Sequence, residues 1–161
     1  MKRFLVLLLS HGAALAAGFA LGVYALPILT APPGPGSEAL GAVMQTASYT
    51  ARFRRDLEGS DLLHWGEGTV YVSDGAVAFA GTLAPGPDYR LYLAPAFVQT
   101  EEDFLALKDD AVQVAQIAGF GNFLVDLPPS IDPDDFTTVV VWCESFSQFI
   151  TAAEYRPPAG D

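Results

Sequence analysis

Residues 137–150 read TTVVVWCESFSQFI, and this stretch decides how the rest of the chain is read. The run Val139-Val140-Val141-Trp142 is apolar on both faces. A strand of that kind lies at the centre of a sheet with cover on both sides. Side chains alternate along a strand, so Val139, Val141 and Cys143 are expected on one face. Val140, Trp142 and Glu144 fall on the other, and Glu144 marks where the strand leaves the core. Cys143 is the single cysteine of the chain. Its thiol has three readings: a small buried hydrophobe, a reactive group, or half of a bond to another molecule.

Working outward, short apolar or alternating runs recur between Gly, Pro and Asp breaks. They are SYTARFR (48–54), GTVYVS (68–73), AVAFAG (76–81), YRLYLAP (89–95), VQVAQIAG (112–119), NFLVDLP (122–128), TTVVVWC (137–143) and TAAEYR (151–156). The clearest turns are Ser73-Asp74-Gly75, Pro85-Gly86-Pro87-Asp88, Gly119-Phe120-Gly121-Asn122 and Pro128-Pro129. Strands this short and this evenly spaced predict a mainly β fold, an antiparallel sandwich or barrel-like domain. Helical signals are few. Thr100 followed by Glu101, Glu102 and Asp103 reads as an N-cap with an acidic first turn. Asp132 to Phe136 suggests a single helical turn, and Ala39 to Ala47 a short helix.

The N-terminus is of another character. Lys2 and Arg3 precede a run from Phe4 to Leu29 with no Asp, Glu, Lys or Arg. At about 1.5 Å per residue, that run is long enough to cross the ~30 Å hydrocarbon layer. Cations before the span and none just after it orient the N-terminus to the cytoplasm. The expected placement is a single-pass protein of the bacterial inner membrane with its domain in the periplasm. The rival reading is a cleaved signal peptide ending at Ala14-Leu15-Ala16, although the apolar run continues well past that point. Pro27 sits near the far end, where a helix can stop. Gly18 and Gly22 form a G-x-x-x-G, the small-residue row that lets another membrane helix pack closely.

Residues 30–37, TAPPGPGS, read as a stiff extended linker that holds the domain off the membrane. The chain therefore divides into an anchor over 1–29, a linker and short helix over 30–47, and a β domain over 48–157. The formal charge is −11, which excludes nucleic acid and anionic lipid surfaces as favoured partners. A lone cysteine excludes an internal disulfide.

Several blocks together resemble the DM13 domain, a small exported module of bacteria and of animal extracellular proteins. They are Asp61-Leu62-Leu63-His64-Trp65-Gly66-Glu67-Gly68, Gly86-Pro87-Asp88-Tyr89-Arg90-Leu91-Tyr92-Leu93, Gly119 to Pro128 with Ile131-Asp132, and Val139 to Phe146. The resemblance covers about Tyr49 to Tyr155. It implies a redox or electron-transfer role through Cys143, which sits in the family's apolar-W-C-x-x-F setting. It also keeps His64 and Trp142 as candidate cofactor contacts, while naming no cofactor.

The residues themselves temper this. No Lys or Arg lies close in sequence to activate the thiol, and Glu144 is expected to raise its pKa. No spacing predicts a metal site, and Ser145 and Ser147 lack the partners of a hydrolase. The alternative function is a non-catalytic accessory subunit that docks onto a membrane protein complex by its helix and its β domain.

Overall fold

A computed structural model describes residues 1–157 of the chain. Helix α1 (Lys2–Thr30) is followed by α2 (Ser37–Thr46), and eight strands follow among the described residues. They are β1 (Tyr49–Phe53), β2 (Gly66–Ser73), β3 (Ala76–Leu83), β4 (Tyr89–Ala94), β5 (Val112–Ile117), β6 (Phe123–Asp126), β7 (Thr138–Cys143) and β8 (Gln148–Glu154). Helix α3 (Glu101–Leu107) lies between β4 and β5. Two four-stranded sheets form, in the orders β1-β2-β3-β6 and β5-β4-β7-β8, and every pairing is antiparallel. The fold is thus a β-sandwich, with no closed barrel among the described residues.

The alternation expected of the opening stretch holds. Strand β7 is buried along its whole length, between β4 and β8. Val139, Val141 and Cys143 face the core between the sheets. Val140 and Trp142 face the outer side of the second sheet, where α3 covers them through Phe104. The Trp142 and Phe104 rings lie 4.9 Å apart. Strand β8 keeps pace through a bulge: Val141 pairs with Thr151 but Trp142 pairs with Phe149. The extra residue, Ile150, turns inward to the core while Phe149 joins the outer cluster.

Local signals explain several boundaries. Thr100 caps α3 by accepting from the Asp103 N–H at 3.1 Å. Asp132 accepts from the Asp134 N–H at 2.9 Å and starts a 3-10 turn over Pro133–Asp135. Between β2 and β3, Gly68 pairs with Gly81. Gly68 has φ +146°, and a Cβ there would run into the Ala80 carbonyl, Gly81 and the Phe79 ring. Only glycine fits such a crossing.

Two features of the N-terminal part differ from expectation. Helix α1 runs through Pro27 to Thr30 rather than stopping at the proline. The linker that follows does not stand free. Pro32 and Gly34 lie against the Gly119–Asn122 turn, and a Cβ on Gly34 would sit 3.1 Å from the Asn122 carbonyl oxygen. Proline-rich chain is stiff, but stiffness fixes only the reach of a linker, not its direction. Here it folds back, and the last turns of α1 lie beside one end of the sandwich.

Candidate functional site

That end of the sandwich is built from three loops. They are the β1–β2 connection with His64, the β3–β4 connection with Gly86 and Pro87, and the β7–β8 turn after Cys143. In the last, Ser147 takes a left-handed conformation (φ 50°) and closes the turn with a backbone bond to Glu144. The Glu144 N–H also donates to the Asp88 carbonyl at 3.0 Å, tying this turn to the β3–β4 loop.

Between the three loops and α1 lies a largely apolar cavity of about 530 Å³. Cys143, Tyr89 and His64 are on its domain side, and Phe19, Val23 and Tyr24 of α1 close it opposite. The volume is in the range that holds a small organic ligand. Tyr89 is opposite Cys143 in the sheet register. Its hydroxyl donates to the Ala84 carbonyl at 2.8 Å, which fixes the ring on the cavity wall. Gly86 must be small here, because a Cβ would press into that ring.

The thiol is 2% exposed. Burial pushes its pKa up, the Asp88 carboxylate adds to this, and the N–H groups of Phe146, Asp88 and Ser145 oppose it only in part. The raised pKa expected of Cys143 is therefore found, but the acid beside it is Asp88 and not Glu144. Glu144 is turned away. It accepts from both Lys108, at 2.8 Å, and the Tyr92 hydroxyl. Burial pushes Glu144 up, yet Lys108 and Tyr92 outweigh it and hold the carboxyl below its usual range.

His64 is held by its own loop. Its Nδ1 lies 2.9 Å from the Asp61 carboxylate, whose other oxygen accepts from the Leu63 and His64 N–H groups at 2.6 and 2.8 Å. The His64 bond is the main cause that lowers the Asp61 pKa. With Nδ1 donating to Asp61, a neutral His64 keeps its lone pair on Nε2.

Structure therefore brings two of the sequence candidates, Cys143 and His64, onto one cavity. Trp142 is elsewhere. It lies on the opposite face of β7, fully buried, with the Lys108 ammonium 5.2 Å from its ring. Of the helix glycines, Gly22 lines a shallow groove with Phe146 and Pro87 and Gly18 does not, and a Cβ on either would meet nothing within 4 Å. Among the described residues no three His, Cys, Asp or Glu side chains are grouped to hold a metal ion. Sequence reasoning singled out neither Tyr89 nor the Lys108–Glu144–Tyr92 group. The apolar pair Leu62-Leu63, set between Asp61 and His64, was a signal in plain view.

Fold and site together define a small two-sheet β module whose central strand delivers one buried thiol to an apolar cavity. Residues 57–155 match the family model described as electron transfer DM13, and the chain belongs to that family. Membership supports a general electron-transfer role. The match begins after β1, so α1, α2 and β1 lie outside it. Among curated proteins and among solved structures, none matches the chain.

Proposed function

We propose that the chain is a membrane-tethered electron-transfer domain in which Cys143 is the redox group and His64 its neighbour in the cavity. Helix α1 supplies the tether: it is long and apolar enough to cross a membrane, and none of its most apolar window is buried against the domain. On the positive-inside bias, the domain lies on the periplasmic side of a bacterial inner membrane. The observation that carries the reading is the convergence of Cys143 and His64, from distant parts of the chain, on one cavity.

The chemistry follows from the raised thiol pKa. At neutral pH Sγ keeps its proton, so nucleophilic thiolate chemistry is disfavoured. One-electron oxidation at Sγ gives up the single thiol proton with the electron and leaves a sulfur-centred radical, which returns to the thiol when an electron and a proton come back. The electron goes to a one-electron acceptor centre of a redox partner protein. The proton goes to a base, and His64 is the basic side chain on the cavity wall. The test is complementation of a deletion strain by Cys143→Ala at matched abundance. Loss of function with the protein still folded is expected; full complementation would overturn the redox role.

A second reading has its own observation. The open surface at Gly18 leaves α1 free to pack on another membrane helix. In this reading the chain is an accessory subunit that docks onto a membrane protein complex.

A further inference from the structure

Large apolar side chains stand exposed at the cavity end of the sandwich. Leu62 is 94% exposed, Leu63 59% and Phe146 55%. They come from two different loops, the β1–β2 connection and the β7–β8 turn. Leu63 and Phe146 line the cavity whose far wall is α1, and Phe146 also faces Phe19, Gly22, Val23, Leu26 and Pro27 across the adjoining groove. The patch is therefore continuous with the apolar helix. A surface of this kind marks an interaction site.

We propose that Leu62, Leu63 and Phe146 form a lip inserted into the non-cytoplasmic leaflet beside α1, in the acyl chains just below the headgroups. This rests on α1 spanning a membrane. The depth follows from the helix. The charge-free run starts at Phe4. About 20 residues cross the hydrocarbon, which puts its outer edge near Val23, and Phe19 lies about 6 Å below that edge. Phe146 lines the cavity with Phe19 and Val23 and the adjoining groove with these and Gly22, Leu26 and Pro27, so it lies within about a turn of that edge, where the acyl chains meet the headgroups.

The loop is built for such a setting. Backbone groups in lipid need partners within the protein. The Asp61 carboxylate takes the Leu63 and His64 N–H groups, and the Asp61 N–H donates to the His64 carbonyl at 3.0 Å. Asp61 itself is matched by the His64 ring. The cations nearest in the β1–β2 connection are engaged elsewhere, Arg54 with Asp56 and Arg55 with Glu67. The partner is thus the uncharged hydrocarbon of the leaflet, not anionic headgroups, which a chain of charge −11 would repel.

The test uses the full chain in phosphatidylcholine nanodiscs. Nitroxide labels are placed singly at Leu62→Cys, Phe146→Cys, Leu15→Cys and Asp74→Cys in a Cys143→Ala background. Leu15 reports mid-helix, and Asp74 reports the β2–β3 turn at the far end of the sandwich. Collision with oxygen is compared with collision with a water-soluble nickel chelate. The expected result is oxygen-favoured behaviour at 15, 62 and 146, with nickel access several-fold lower than at 74. Nickel access at 62 and 146 equal to that at 74, with 15 still protected, overturns the lip and leaves the span standing. Nickel access at 15 as well overturns the span and the lip together. If the Cys143→Ala background does not fold, Leu62→Trp and Phe146→Trp in the native-thiol chain give the same answer. Their emission, corrected for Trp65 and Trp142, is quenched by lipid brominated near the top of the acyl chain, or the lip is refuted.

Discussion

Replacing Cys143 by serine and by alanine separates a dry cavity from a wet one. The thiol is 2% exposed and packs with Val139 and Val141 on the inner face of β7. Alanine removes one methylene-sized atom, about 0.8 kcal/mol of lost transfer energy, plus a small cavity term, for roughly 1–1.5 kcal/mol. Serine keeps a heavy atom but buries a hydroxyl. The C–O bond is shorter than C–S, so N–H groups that reach sulfur do not reach the oxygen equally well. A hydroxyl left without a partner costs about 1–3 kcal/mol. For a domain of roughly 110 residues, 1 kcal/mol moves the midpoint by about 4–5 °C. Alanine should therefore lower Tm by about 4–7 °C, and serine should lower it further. Differential scanning calorimetry of the full chain in nanodiscs reads both shifts. A serine variant as stable as the native chain would refute the reasoning, because it would mean the hydroxyl is solvated and the cavity holds water.

The thiol should also discriminate among reagents: uncharged N-ethylmaleimide should modify Cys143 in nanodiscs while a charged thiosulfonate should not, as mass spectrometry of the intact chain would show. Because burial raises the thiol pKa, the maleimide rate should still be climbing above about pH 10, where an ordinary thiol has levelled; a plateau below that pH would contradict the burial argument. If α1 packs on a partner helix, Gly18→Ile should release co-purifying subunits while leaving the chain in the membrane; Gly18 is the cleaner position because Gly22 also lines the groove against the domain. Unchanged co-purification would remove the accessory-subunit reading.

How much of this was legible in the sequence depended on the range of the interaction. The two faces of β7 were readable because alternation is a local rule and Val139 to Trp142 violates neither face of it. The Thr100 cap and the Asp132 turn were readable for the same reason: donor and acceptor lie within three residues. The register of β8 was not, because the bulge at Ile150 answers a packing demand from both sheets at once. Nor was the company of Cys143. Sequence neighbourhood nominated Glu144, yet a strand sends adjacent side chains to opposite faces, so Glu144 pairs with Lys108 and Tyr92 while Asp88 comes in from the neighbouring loop. The same alternation carries Trp142 away from the thiol that follows it.

The alternation also sets the direction from which Cys143 can be approached. On the core side the thiol is sealed by the sandwich, and on the outer side Trp142 and α3 cover the sheet. What remains is the end of β7, where the strand stops at Cys143 and the cavity begins. That end faces α1. If α1 lies in a bilayer, the open approach to the thiol runs along the membrane surface and not through bulk solvent, where the acidic remainder of the domain is displayed. A partner that exchanges electrons here must then either be a membrane protein itself or bring an uncharged group into the cavity. A soluble, charged donor would have to desolvate its charge to enter an apolar cavity, and of the polar groups on the domain wall the Tyr89 hydroxyl is engaged by Ala84 and the Gln148 amide by Glu101, which leaves His64.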